Sequence, residues 1–345
     1  MATTVNNAFD EFMKETVNLD QSRVKNARTS RSWLLGRIDS FPEKDTSFPL
    51  LYSENNLHYG SFERKTKTRE LDDIDMMVCI NADGCTYLES SITDIKIYFP
   101  DNYTGRLNSL RHTTTGKENA LSSTRVVNKF VKNLGEIEQY SKAEIKRTGE
   151  AATLKLVSYE WNFDILPCFL TQEAQDGRTY YLIPNGNGDW KKTDPRKDRA
   201  RLSSINQSCG GRVLNVIRAL KFWNQRPYKT RISSYLLETM ISDYYQNEIH
   251  CNREESVSIY IDLEVIKVFN YLKNNIYSVV SDPKNIAHDI NDTSSDKKIS
   301  MYLRLSEALE KANVARQYEI DGKQKESIKK WQEVFGDSFP EYTGV

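Results

Sequence analysis

The chain has 345 residues, 38% apolar and 28% charged, with 48 basic residues balanced by 48 acidic ones. That length suits two lobes of ~100–200 residues each, and a net charge of zero argues against a nucleic-acid or anionic-membrane surface spread over the whole molecule. The N-terminus has no apolar run long enough for a secretory leader or a membrane span, five cysteines make no CxxC pair and four histidines lie far apart, so a cytoplasmic protein with reduced thiols and no zinc site is expected.

Residues 5–38 read as helical, with Phe9, Phe12 and Met13 at helical spacing. The stretch "FPEKDTSFPLLYSENN" carries two prolines and reads as loop. A short strand or turn is expected at "LHYGS" and a strand at "DIDMMVCI", where Ile74, Met76 and Val78 alternate with Asp73, Asp75 and Met77. Between them runs the charged segment "ERKTKTRE", of a kind that is usually solvated surface. Residues 101–121 are polar without period and read as a mobile loop; 122–134 read as a short helix. Strands follow at "AEIKRTG", "ATLKLVS" and "EWNFDILPCFL". The last puts Trp161, Phe163 and Ile165 on one face and Asn162 and Asp164 on the other, and Pro167 argues for a strand end or an edge. From about residue 200 the pattern turns helical: "GGRVLNVIRALKFWNQ", "SSYLLETMISDYYQN", 257–280, 300–317 and a last helix before a loose tail. No internal repeat is visible.

Asp73 and Asp75 on one strand face stand about 6.6 Å apart in backbone rise, close enough to share a divalent ion. Without a cation each raises the cost of ionising the other. Oxygen ligands with no His or Cys nearby suit Mg²⁺ or Mn²⁺. Asp164, turned away from the apolar side of a strand that can pair alongside, is the candidate third carboxylate of a two-metal site whose ions would sit about 3.5–4 Å apart. Gly60 lets a backbone amide approach phosphate, the Ser61 hydroxyl can donate to a phosphate oxygen, and a helix beginning at Phe62 would add its amide dipoles. The plain alternative is a solvated strand face paired with "ERKTKTRE".

Gly-Ser, a spacer, Asp-apolar-Asp and a distant Asp on a later strand resemble the polymerase-β-like nucleotidyltransferases. With "DWKKTDPRKDRARL", "ALKFWNQR", "SSYLLETMI" and "KWQEVFGDSFP" in order, the chain from about 25 to 340 resembles the bacterial cyclic-oligonucleotide synthases called CD-NTases. The resemblance implies an α+β fold: a nucleotidyltransferase lobe with a mixed β-sheet and N-terminal helices (1–198) and a C-terminal helical lobe (199–345), with the active site in the cleft between them. It implies NTP substrates, two Mg²⁺ ions with Mn²⁺ as a substitute, and a cyclic di- or trinucleotide messenger of anti-phage defence. Asp73, Asp75 and Asp164 match the metal ligands and Gly60 and Ser61 the phosphate-binding pair. Lys221 matches a triphosphate contact, and Ser234 and Tyr235 match residues that touch phosphate and stack on the donor base.

No zinc-ribbon cluster and no evident basic spine accompany these motifs, which favours the bacterial type, where nucleic acid is not required. Partners implied by the resemblance are a downstream effector reached through the product, and HORMA-like or E1/E2-like regulators, the latter acting on the tail that ends at Val345. Two other functions stay open on sequence alone: a template-independent RNA or tRNA nucleotidyltransferase or linear oligonucleotide synthase, and a catalytically silent nucleotide-binding sensor.

Overall fold

The computed structural model describes residues 2–157, 159–174, 177–227 and 230–344; Val345 lies outside the described residues. In chain order come α1 (Val5–Phe12), a π-helical turn Met13–Val17, α2 (Gln21–Asp39), α3 (Phe41–Lys44), β1 (Leu57–His58), α4 (Gly60–Glu63) and β2 (Asp73–Cys79). Next are β3 (Thr86–Ser91), β4 (Asp94–Tyr98), α5 (Ser123–Gly135), β5 (Glu144–Thr148), β6 (Ala151–Lys155), β7 (Asn162–Leu170), β8 (Tyr181–Pro184) and β9 (Trp190–Thr193). The helices α6 (Pro195–Ser208), α7 (Val213–Gln225), α8 (Ser234–His250), α9 (Ile261–Asn275), α10 (Ser295–Ile320) and α11 (Gln324–Phe335) complete the chain.

Residues 20–63 and 71–197 form a unit built on the sheet, and residues 1–19, 64–70 and 198–345 form a helical unit. The first 19 residues and the segment 64–70 thus belong with the helices, whereas the sequence reading grouped everything up to 198 with the sheet. The reason for α1 is its apolar face: Val5, Ala8, Phe9 and Phe12 are buried, and α1 packs on α9 and α11. Phe9 meets Trp331, Phe335 and Phe339 at centroid distances of 4.9, 5.7 and 5.0 Å, offset edge-on as aromatic quadrupoles prefer.

In the sheet unit the strand order is β1-β2-β7-β8-β9-β4-β3, with the β5–β6 hairpin joined to β7 through β6. β2 and β7 are parallel; the other pairs are antiparallel. Helix α5 packs on β5 to β8, burying Val126, Val127 and Phe130. β7 is an interior strand of nine residues, not the edge that Pro167 suggested. The amide of Asn162 donates to Asp72 on the β2 side, so even-numbered amides face β2 and odd-numbered ones face the other flank. On that flank β6 pairs only as far as Ile165 and β8 begins at Phe169. The N–H that Pro167 lacks falls in the gap, where the ladder asks for no donor.

Two loop expectations change as well. Residues 101–121 are pinned, not mobile: bridges join Tyr98 to Ala120 and Arg111 to Leu121, Leu107 and Leu110 are buried, and the Arg111 guanidinium lies 4.0 Å over Phe99. Segment 64–70 is no solvated face: Thr66 and Thr68 are buried, and the Arg69 side chain donates to the carbonyls of Lys14, Glu15 and Asn18. The stretch after Ser40 that read as loop includes the short helix α3. Among the described residues, no helix is long and apolar enough to cross a membrane.

Candidate active site

β2 aims Asp73 and Asp75 to one side because Ile74 and Met76, fully buried, hold the other. The parallel register sets Asp75 directly beside Asp164 of β7. Asp73, Asp75 and Asp164 each bring a carboxylate oxygen to a common point, all within 4.8 Å of one another, and all three are half-buried. Further along the same face, Met77 and Cys79 of β2 join Leu166 and Cys168 of β7 in an apolar cluster with Tyr181 and Ile183. The acids therefore stand where the apolar face stops.

Gly60 opens the turn in front of them with φ +76°, in the left-handed region. Space demands glycine there too: a Cβ at this position would lie 1.8 Å from Asp75 Oδ2. The sequence reading explained Gly60 by the approach of phosphate, but the nearer cause is the carboxylate behind it. Ser61 follows in α4, a single turn starting at Gly60 and not at Phe62. The turn is anchored by buried Phe62 and by Glu63, which accepts from Arg31 of α2 at 3.1 Å. Arg31 also lies 5.8 Å from the Phe62 ring centroid.

Two neighbours escaped the sequence reading. Thr153 on β6 donates its hydroxyl to Asp164 Oδ1 at 2.7 Å. Only the β6–β7 register could reveal that pairing. Tyr59, next to Gly60, is the other: burial pushes its phenol well up, and the charges of Asp75 and Asp164 push it further, so it stays protonated. Its signal was adjacency to the Gly-Ser pair.

The remaining expected residues lie in the helical unit, around Arg64. Lys221 of α7 is buried and donates to Glu238 Oε1 of α8 at 2.6 Å, while Arg64 donates to Oε2 at 3.0 Å. Burial alone would raise the Glu238 carboxyl; the charges of Arg64 and Lys221 more than reverse that and hold it below its ordinary value. Ser234 is exposed at the first turn of α8, whose cap is Ser233. The Tyr235 hydroxyl meets Asp198 at 2.8 Å and Asp282 at 3.0 Å, and the Lys284 ammonium sits 4.2 Å from its ring centroid. Burial, then the charges of Asp198 and Asp282, push its phenol up. Its ring and hydroxyl thus have partners within their own unit.

Three hard oxygen donors without imidazole or thiolate suit a hard divalent cation, and the repulsion among them is what such a cation relieves. An Asp-x-Asp strand in parallel register with a third aspartate, a Gly-Ser turn before it and a helical unit after it define the polymerase-β-like nucleotidyltransferase fold, with which the solved relatives agree. No protein-family model matches the chain. A probable cyclic nucleotide synthase from Bacillus cereus (strain VD146) is 42% identical over 343 residues, covering 99% of each chain. The structure of CdnC from E. coli MS115-1 with ATP superposes with a TM-score of 0.67 at 16% identity, over 97% of this chain and 98% of that one. CdnC in complex with HORMA gives a TM-score of 0.66 at 16% identity, again over 97% and 98%. DncV, the cyclic AMP-GMP synthase of Vibrio cholerae, gives 0.65 at 12% identity, over 98% of each. The chain belongs to the family of bacterial cyclic nucleotide synthases, the CD-NTases.

Proposed function

We propose that this member of the family joins NTPs into a cyclic di- or trinucleotide that signals phage infection, using Mg²⁺ held by Asp73, Asp75 and Asp164. The observation that carries the reading is the meeting of those three carboxylates within 4.8 Å across two parallel strands, in front of a Gly-Ser turn. When bound, a divalent cation supplies acidification of the attacking hydroxyl and neutralisation of the triphosphate. The chain's own part is positioning. The Gly60–Ser61 turn offers backbone amides and a hydroxyl to phosphate, and Arg31 and Phe62 keep that turn in place. A ribose hydroxyl of the acceptor attacks the α-phosphorus in line, a P–O bond forms as the bond to pyrophosphate breaks, and a second such step closes the ring. Lys221 and Ser234 are proposed as phosphate contacts and Tyr235 as a base contact, on the matching motifs. A HORMA-like regulator is a proposed partner, since CdnC forms such a complex.

The test is incubation of the full chain with all four NTPs and Mg²⁺, followed by phosphatase and mass spectrometry. A phosphatase-resistant ring is expected; an elongated added RNA, or no turnover, would overturn the reading. Asp73→Asn is expected to lower turnover by about 10³-fold, since the charge stabilisation lost is several kcal/mol and each ~1.4 kcal/mol is tenfold.

A further inference from the structure

Strand register fixes where the Cα of Asp164 lies, but two side-chain torsions still decide where its carboxylate points. One contact fixes them. Thr153 stands directly opposite Asp164 in the antiparallel β6–β7 pair, and its Oγ1 donates to Oδ1 at 2.7 Å. Its flanking residues, Ala152 and Leu154, are fully buried on the other face, so β6 cannot rotate to release the threonine. Branching at Cβ restricts the threonine's own χ1, which makes the donor stiff. The choice of a hydroxyl matters as well. A lysine or arginine at 153 would neutralise Asp164 and compete with a cation, whereas a neutral donor orients the carboxylate and leaves its charge available to the triad. Accepting one hydrogen bond leaves Asp164 its other lone pairs as ligand sites.

We infer that Thr153 is the positioning residue of the triad: it holds the Asp164 carboxylate toward Asp73 and Asp75 and so sets the affinity for the divalent ion without touching it. This rests on the triad being the metal site. The hydrogen bond is a partner of the ligand and not a ligand, and losing such a partner typically costs 10–100-fold in metal affinity.

The test compares Thr153→Val, which keeps the shape and removes the donor, with Thr153→Ser, which keeps the donor. Mn²⁺ binding to the full chain without nucleotide is followed by the electron paramagnetic resonance of free Mn²⁺, and turnover is measured at saturating NTP. Thr153→Val should weaken Mn²⁺ by roughly tenfold or more and lower kcat in step, with KM for NTP moved less than about twofold; Thr153→Ser should stay within about threefold of the parent. Equal losses in both variants would show that any change of shape at 153 disturbs the site whether or not the donor is kept, and would overturn the inference, as would parental affinity in Thr153→Val. Should Thr153→Val not fold, Thr153→Ala against Thr153→Ser makes the same comparison. Asp164→Asn separates the two levels: if it too binds Mn²⁺ as the parent does, the triad reading itself falls, and if only Asp164→Asn loses binding, Thr153 alone is excluded.

Discussion

A Cβ added at position 60 would lie 1.8 Å from Asp75 Oδ2, 2.6 Å from its Cγ and 3.0 Å from its Cβ. Each of these distances is below van der Waals contact, and all three are to one side chain of the proposed metal triad. Backbone strain adds to this, because φ +76° disfavours any residue with a Cβ. Gly60→Ala is therefore expected to destabilise the chain by more than about 1 kcal/mol and, separately, to turn the Asp75 carboxylate aside. A misplacement of ~1 Å can cost 10²-fold, so turnover should fall by about that factor in protein that still unfolds cooperatively. In an Asp75→Asn background the same alanine should add little, since both changes remove one function. Parental turnover and Mn²⁺ affinity in folded Gly60→Ala would show that Asp75 is not needed where it stands. The sequence reading singled out Gly60 for the approach of phosphate; the proximity of residues 60 and 75 was not legible, because it is created by the turn of α4 against β2.

The elements divide by how strongly their patterns were imposed. β2 and the first half of β7 were legible because Asp73, Asp75 and Asp164 interrupt an apolar period of two. β3 was not: all six of its residues are exposed, so no buried face imprints an alternation. β8 is buried on both faces over four residues, too short a run to separate strand from loop. In 64–70 the charges hid two buried threonines, and in 101–121 polar composition hid Leu107, Leu110, Ala120 and Leu121. Pro167 misled for a different reason. The rule that proline avoids interior strands concerns a missing donor, and β7 needs none at that residue on the flank it faces. Pro167→Ala would put an N–H into that gap. Residue 167 is buried, so the new donor loses water without gaining a carbonyl, and the expected cost is about 1–3 kcal/mol. Chemical denaturation of the variant checks this; unchanged or increased stability would mean that a partner lies across the gap.

Over the whole chain the formal charges cancel, yet the acids do not titrate alike, and their opposing linkages shape stability against pH. Asp45 is held well below its ordinary range by hydrogen bonds from Lys129 and Ser47, and Glu238 is held low by its two cations against the pull of burial. Each contributes stability that is present above the unfolded-state pKa and is lost as pH falls through the folded one. Asp262 is the reverse case. It is 1% exposed at the start of α9, its Oδ1 has no hydrogen-bond partner, and burial followed by the nearby charge of Glu319 pushes it up to about 6, opposed first by a backbone hydrogen bond at Leu263 and then by the charge of Arg316. An acid whose folded pKa exceeds its unfolded value of ~3.9 favours the fold while protonated, so its contribution is full below pH ~3.9 and drains away as pH rises through about 6. A gap of ~2 pK units at ~1.4 kcal/mol each makes the loss between pH 4.5 and 7.5 about 2 kcal/mol. Asp262→Asn keeps the shape and removes the titration. Relative to the parent, it should gain about 2 kcal/mol more stability at pH 7.5 than at pH 4.5, read from urea unfolding at the two pH values on the transition that reports the helices. Parallel pH curves for parent and variant would show that the Asp262 carboxylate keeps an ordinary affinity for its proton in the folded chain. An advantage confined to pH 4.5 would reverse the sign and place the balance with the Leu263 backbone hydrogen bond and Arg316.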